Sequence, residues 1–188
     1  MKIISGSLGG QTIPGRPNPH LRPTSDKVKE AIFDQLQARF VESWEGLQVL
    51  DLYAGTGSLG FEALSRGSAK AVFVDHHLQT VKAIHKAAEQ LGLSDRSEVL
   101  CKGALDGIRW LEKRGDVFDL IFMDPPYRED WIVGTLTALM GSSLLSKRTK
   151  IVVERDKREL LTSVLANWKL ETERRYGDSM VTILSPIG

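Results

Sequence analysis

A glycine-rich turn is the first feature of the sequence that could bind a cofactor. Residues 49–60 read VLDLYAGTGSLG, in which apolar strand residues precede three glycines, Gly55, Gly57 and Gly60, spaced as G-x-G-x-x-G. Asp75 follows 20 residues after Gly55, at the end of the next apolar segment. Glycines let a backbone turn tightly and approach a ligand, and an acid at that distance binds ribose hydroxyls. Taken alone, the pattern predicts a nucleotide-type cofactor such as NAD, bound by an oxidoreductase.

Asp51 changes the preferred ligand. It lies four residues before Gly55, at the end of the predicted strand, where it would face a polar group of the cofactor. A carboxylate there repels a pyrophosphate and attracts the ammonium and sulfonium groups of S-adenosylmethionine. The pattern D-x-x-A-G-x-G, followed by an acid after the second strand, resembles the class I methyltransferases. We therefore favour S-adenosylmethionine over a dinucleotide, which would leave Asp51 without a role.

The tetrapeptide Asp124-Pro125-Pro126-Tyr127 brings a second set of reactive groups. Asp124 ends the apolar segment at 118–124. The tetrapeptide should therefore lie beside the glycine turn, at the carboxyl ends of the strands of a parallel sheet. The Asp124 carboxylate and a carbonyl of the proline run can accept both N–H bonds of a planar exocyclic base amine and turn its lone pair toward a methyl group. Tyr127 can stack on the base. This chemistry predicts methyl transfer by direct displacement, with Asp124, Pro125 and Tyr127 as catalytic residues.

The elements that position these residues alternate between strands and helices. Apolar bursts at 47–52, 71–75, 98–101, 118–124 and 150–154 are predicted strands, and stretches near 58–66, 78–92, 104–114 and 130–140 are predicted helices. Such alternation with nearly continuous apolar strands predicts an α/β fold with a parallel sheet covered on both faces. Segments 168–176 and 180–186 have no room for a helix between them, so they predict an antiparallel hairpin at one edge of the sheet.

The N-terminal part differs in character from the rest. Residues 2–13 predict a short hairpin, and the proline-rich stretch 14–24 predicts an extended basic arm, since proline fixes φ and biases the preceding residue away from helix. Thr24 or Ser25 can cap a helix that runs to about Phe40. We therefore divide the chain into a hairpin and arm at 1–24 and a main domain at 25–188.

Composition excludes several classes of protein. The 188 residues are 41% hydrophobic and 26% charged, an ordinary globular balance. The single cysteine, Cys101, excludes a disulfide framework, and the scattered histidines argue against a zinc site; we expect His76 and His77 to point apart and no metal to bind. No apolar run approaches a membrane span, so we expect a cytoplasmic protein. Residues 1–30 and 147–175 carry net charges of +3 and +4, which would suit phosphates if the two ends meet.

The whole chain resembles the RsmD family of 16S ribosomal RNA guanine-N2 methyltransferases. The resemblance rests on RPTSDKVKEAIFDQL (22–36), VLDLYAGTGSLGFEALSRG (49–67), FDLIFMDPPY (118–127) and RYGDSMVTIL (175–184), in that order. It implies a seven-stranded class I methyltransferase sheet, S-adenosylmethionine as the cofactor and N2 of an unpaired guanine as the target. It also implies a partner, the small ribosomal subunit or its assembly intermediate. We expect a monomer.

The resemblance also implies roles for particular residues. The set expected to hold the cofactor is Arg22, Thr24, Asp51, Ala54, Gly55, Gly57, Asp75, His76 and Ala104. Together with residues chosen for their charge or their place in the proline-rich stretch, the set expected to contact the target base or RNA phosphates is Arg16, His20, Arg22, Pro126, Tyr127 and Arg155. The family usually has an aspartate where this chain has Ala104. Either Asp106 or a backbone carbonyl near Ala104 would contact the adenine amine instead, or adenine would be bound more weakly.

Two other interpretations stay open. An adenine-N6 methyltransferase would share the Asp-Pro-Pro-Tyr chemistry and give N6-methyladenine, although such enzymes often carry a separate recognition domain. A non-catalytic RNA-binding module would keep the pocket without the reaction.

We also expect Trp110, Trp131 and Trp168 to pack inside the fold and Cys101 to be a buried small residue. Trp44 is left unassigned.

Overall fold

The computed structural model describes residues 1–14, 25–125, 129–159, 161 and 165–187, with only the backbone of 129 and 130. Its strands are β1 Gln48–Leu52, β2 Lys70–Asp75, β3 Ser97–Cys101, β4 Phe118–Met123, β5 Leu145–Asp156, β6 Trp168–Tyr176 and β7 Ser179–Pro186. Its α-helices are α1 Asp26–Arg39, α2 Ser58–Arg66, α3 Leu78–Gln90, α4 Ala104–Arg114 and α5 Glu129–Met140. These bounds agree closely with the predicted segments, except that β5 begins earlier than expected.

The strands of the described chain form one sheet in the order β3-β2-β1-β4-β5-β7-β6. β1 to β5 are parallel to one another, and β7 is antiparallel to both β5 and β6. The predicted α/β fold and the antiparallel hairpin at one edge are thus confirmed. The strand order reverses between β1 and β4, which is the switch point where open α/β sheets bind ligands.

Two apolar layers cover the sheet. One face packs against α1, α2 and α3, with the ring of Phe73 at its centre, and the other packs against α4 and α5, with Leu50 and Ile121 at its centre. Residues alternate between these layers along each strand because neighbouring side chains point to opposite faces. Within the described residues, no helix is both long enough and apolar enough to cross a membrane.

The N-terminal segment folds back on itself and docks on α2. Lys2 and Thr12 form an antiparallel bridge, and Ile3 and Ile13 are buried in the layer of α1 to α3. The Ser25 hydroxyl accepts a hydrogen bond from the Val28 amide and begins α1, as its position before the helix predicts.

Three predictions of burial are wrong. Cys101 is exposed because β3 is an edge strand with β2 as its single neighbour in the sheet. Trp110 and Trp131 lie on the outer sides of α4 and α5 with 38% and 44% of their surface exposed. Trp168 is buried as expected, and Trp44, which the sequence left unassigned, is also buried.

Candidate cofactor and base site

The three acidic residues singled out in the sequence lie at one edge of the sheet. Asp51 is the penultimate residue of β1, Asp75 is the last residue of β2, and Asp124 directly follows β4. β1 lies between β2 and β4, and Leu52 pairs with Met123 across the switch point. The topology therefore brings the glycine turn and Asp124 to adjacent strand ends.

The turn after β1 holds a left-handed backbone conformation. Tyr53, Gly55 and Gly57 have φ angles of 60°, 54° and 72°, a region that glycine adopts readily and that costs other residues energy. The Ala54 amide donates to the Val74 carbonyl at 3.0 Å, and the Gly57 amide donates to the Ala54 carbonyl at 2.7 Å. These bonds fix the turn against β2 and leave its backbone able to approach a ligand.

The third glycine has a packing role. A Cβ atom at Gly60 would lie 2.7 Å from Cζ of Phe73 and closer still to Cε1, which is too near for van der Waals contact. Gly60 therefore lets α2 pack closely on β2, and its own amide remains available to Asp51.

Asp51 is a buried acid that lacks a cationic partner among the interactions found for it. Its Oδ2 accepts a hydrogen bond from the Gly60 amide at 3.0 Å. Burial raises the pKa of Asp51 to about 8, and the nearby charge of Asp75 adds to this, while the Gly60 bond opposes it. A cationic ligand group beside Asp51 would stabilise its ionised form. The ammonium of S-adenosylmethionine fits that requirement, whereas a pyrophosphate does not.

Asp75 ties the glycine turn to the end of β2. Its Oδ2 accepts from the Gly55 amide at 3.0 Å and its Oδ1 accepts from the His77 amide at 2.9 Å. The carboxylate is thereby held rigidly, and each oxygen keeps a second lone pair with which to accept a ribose hydroxyl.

His76 and His77 do not point apart as expected. Their rings are in contact, with centroids 3.7 Å apart and planes tilted by 45°, and their Nδ1 atoms lie 3.9 and 3.4 Å from Oδ1 of Asp75. One ligand atom from each of the three residues falls within 4.8 Å of the others, so this group could hold a metal ion. The prediction that the two histidines point apart, which was the reason to exclude them as metal ligands, is therefore wrong. A metal and a ribose would compete for Asp75.

Of the tetrapeptide predicted to bind the base, the structure describes Asp124 and Pro125. Asp124 is partly buried and Pro125 is buried at the end of β4. The remaining predicted contacts, Arg16, His20, Arg22, Thr24, Pro126 and Tyr127, lie outside the described residues.

Comparison with known proteins identifies the family of this chain. A protein-family model described as "Conserved hypothetical protein 95", the RsmD family, matches residues 1–185. The chain belongs to this family. YlbH of Bacillus subtilis (strain 168), named as a putative rRNA methyltransferase, is 33% identical over 188 residues, the full length of both chains. "Ribosomal RNA small subunit methyltransferase D" of Escherichia coli (strain K12) is 32% identical over 177 residues, which cover 94% of this chain and 85% of that protein.

The solved structures support the fold of the RsmD family. The Escherichia coli protein yhhF has a TM-score of 0.82 and 29% identity, with coverage of 99% of this chain and 97% of that one. The Thermus thermophilus protein TTHA0928 has a TM-score of 0.82 and 25% identity, with coverage of 98% and 99%. The resemblance recognised in the sequence and the class I methyltransferase fold are thus confirmed.

Ala104, where the resemblance implies an aspartate, lies at the start of α4. Ala104 is buried as the first residue of that helix, and Gly103 precedes it in an extended conformation. Asp106 lies on the outer surface, where Oδ1 pairs with Arg109 at 3.0 Å and the side chain is 71% exposed. Of the two alternatives for contacting adenine, this geometry favours the backbone near Ala104.

Arg155 is placed differently from its predicted role. It is 4% exposed, and its guanidinium donates to the Glu173 carboxylate at 2.6 Å and to backbone carbonyls of Asp156 and Glu159. The β5–β7 pairing buries this position, which no local charge pattern reveals. We therefore remove Arg155 from the set of RNA-contacting residues.

Two residues that the sequence analysis did not assign to the site border the glycine turn. The Tyr53 hydroxyl shares a 2.6 Å hydrogen bond with the Thr135 hydroxyl of α5, and the Tyr53 ring meets the Trp131 ring edge to face at 6.3 Å between centroids. Trp131 and Thr135 are four residues apart, so they share one face of the helix. That spacing, beside an aromatic residue inside the turn, is the signal that could have identified them.

Proposed function

We propose that this chain transfers a methyl group from S-adenosylmethionine to the N2 amine of a specific guanine in small-subunit ribosomal RNA. The main support is the juxtaposition of two strand ends: the Asp51 turn follows β1, and Asp124 follows the neighbouring β4. The curated relatives of the RsmD family are named for methylation of the same RNA class. The proposed substrate is an assembling small subunit in the cytoplasm, and the proposed enzyme acts as a monomer.

In this mechanism the residues of the protein position the two reactants. The cofactor would supply an electrophilic sulfonium methyl group. Asp51 attracts the cofactor ammonium, Asp75 accepts from the ribose, and Asp124 accepts an N–H of the guanine amine. The amine nitrogen would form the new N–C bond with the methyl group of the bound cofactor, and the C–S electron pair would leave with sulfur as S-adenosylhomocysteine. The amine then loses one proton, which Asp124 accepts or passes to water. Positioning and stabilisation of the charge that grows on nitrogen account for catalysis, and no metal is required.

The target base must be unpaired when it reacts. A paired, stacked guanine cannot present its amine to the sulfonium, so the RNA has to offer a loop base or extrude one. The proline-rich arm at 15–24, together with Pro126 and Tyr127, is proposed to enclose that base.

The decisive test uses isotopically labelled S-adenosylmethionine. Small subunits lacking the modification, naked ribosomal RNA and DNA are incubated in parallel, and the products are digested to nucleosides and separated. We expect N2-methylguanosine from the ribosomal substrates, undiminished by EDTA. N6-methyladenine would instead support the adenine-N6 interpretation, and no transfer despite cofactor binding would support a binding module.

The Asp124→Asn variant tests the role of the carboxylate. We expect methyl transfer to fall by at least about 100-fold, the scale of losing one positioned catalytic group, with cofactor affinity nearly unchanged. Asp106→Asn is the matched control, because Asp106 is an exposed acid of the first turn of α4. Equal activity of Asp124→Asn and the wild type would disprove the mechanism.

A further inference from the structure

Trp131 is an exposed aromatic residue that the proposed mechanism does not use. It lies in the first turn of α5 with 44% of its surface exposed. An exposed indole gains little from hydrophobic burial. Because it is close in sequence to the tetrapeptide 124–127, we ask what covers it when substrate is bound.

The side chain of Trp131 is held in place by an aromatic contact. Its ring contacts Tyr53 in the edge-to-face geometry that aromatic pairs prefer, with centroids 6.3 Å apart. Tyr53 is itself fixed by the 2.6 Å hydrogen bond to Thr135, one turn further along the same helix. A side chain held in this way loses little conformational entropy when a ligand stacks on it.

The location of Trp131 follows from the register of the sheet. Tyr53 is the first residue after β1, and the last residue of β1, Leu52, pairs with Met123. Met123 immediately precedes Asp124. The indole therefore lies beside the strand ends where the reacting base is proposed to bind.

We propose that Trp131 forms a stacking subsite for an unpaired nucleobase next to the target guanine in the RNA strand. This inference rests on the proposed function, because it assigns the RNA a second point of contact at the same site. Bases stack on aromatic side chains with little dependence on sequence, and each such contact strengthens binding substantially. The subsite would hold the strand so that the target amine reaches Asp124.

The experiment compares Trp131→Leu and Trp131→Phe. Leucine keeps an apolar side chain without a π-face, and phenylalanine keeps a smaller aromatic ring. We expect Trp131→Leu to raise KM for RNA, and Kd for RNA, about tenfold. Trp131→Phe should recover most of that loss, while thermal stability and cofactor affinity stay near the wild-type values in both.

Trp110 provides the matched control. It is a similarly exposed tryptophan, 38% exposed, but it lies on α4 beneath the guanidinium of Arg114, 4.5 Å from the ring centroid. Trp110→Leu should leave RNA binding unchanged. Equal effects of the Trp110 and Trp131 substitutions, or wild-type RNA affinity in Trp131→Leu, would overturn the subsite.

An abasic RNA separates stacking from a general effect of the substitution. Once the methylated guanine is mapped, two RNAs are prepared, each lacking the base at one of the two neighbouring positions. The affinities of the wild type and of Trp131→Leu for each RNA are then measured. At one of these positions the difference between wild type and Trp131→Leu should disappear, and a difference that persists at both would refute the proposal. Failure of the wild type to methylate any RNA would contradict the proposed function itself. A change in self-association in Trp131→Leu would instead overturn the subsite, because it would indicate that a second copy of the protein covers the indole.

Discussion

At the Asp51 carboxylate, the stability of the folded protein and the proposed binding of the cofactor oppose each other. With a folded-state pKa of about 8 against an ordinary value of 3.8, the folded protein holds a proton that the unfolded chain has released between those pH values. The free energy of unfolding contributed by Asp51 therefore falls as pH rises from about 4 to about 8. A bound cation would reverse this by favouring the ionised carboxylate.

We predict that Asp51→Asn stabilises the cofactor-free protein and weakens cofactor binding. The amide still accepts from Gly60 but carries no charge, so the melting temperature should rise by a few degrees at pH 8 and be nearly unchanged at pH 4. Cofactor affinity should fall at least about tenfold, because a charge-assisted interaction is lost. Thermal unfolding and calorimetric titration across this pH range measure both effects.

A matched control is Asp119→Asn. Asp119 lies near the start of β4, at the amino-terminal ends of the strands, and its carboxylate accepts from the Gln48 amide at 2.8 Å. It should leave cofactor affinity unchanged. Unaltered cofactor affinity in Asp51→Asn would show that Asp51 does not contact the ammonium.

At the scale of elements, the fit between α2 and β2 depends on a missing side chain. We predict that Gly60→Ala destabilises the protein by about 1–3 kcal/mol, since the added methyl group must displace the buried Phe73 ring. Gly134→Ala in α5 is the control, because a Cβ there meets no atom within 4 Å and alanine favours the helix by about 0.5–1 kcal/mol. Urea unfolding compares the two variants, and equal midpoints would contradict the packing role.

The same scale explains what the sequence could and could not predict. The bounds of α2 and α4 were predictable because apolar periodicity and capping glycines are local signals. The burial of Arg155 and the exposure of Cys101 were not, because each depends on which strand lies alongside, and that order is set by long-range pairing. The convergence of His76 and His77 likewise depends on side-chain rotation around Asp75.

At the scale of the whole molecule, hydrogen bonds fix the N-terminal hairpin to α1, α2 and the glycine turn. The Glu62 carboxylate of α2 accepts from the Ile4 and Ser5 amides at 2.7 and 3.0 Å, and buried Lys29 of α1 donates to the Lys2 carbonyl. The Thr56 hydroxyl of the glycine turn donates to the sulfur of Met1 at 3.2 Å.

The described residues on either side of positions 15–24 are also held in the fold. The Ile13 amide donates to the Met1 carbonyl at 3.0 Å just before the arm, and α1 begins just after it, at Asp26.

We predict that Arg16→Ala weakens RNA binding by a similar factor for different RNA sequences and lowers the salt dependence. A lost phosphate contact on single-stranded RNA should reduce the slope of log K against log salt by about 0.7. Lys86→Ala, an exposed cation in the middle of α3, is the control and should leave the slope unchanged. Fluorescence anisotropy over a range of salt concentrations measures both slopes. Since Arg16 closely follows the anchored hairpin, equal slopes for wild type and Arg16→Ala would mean that the arm guides the base or the cofactor without Arg16 neutralising a phosphate.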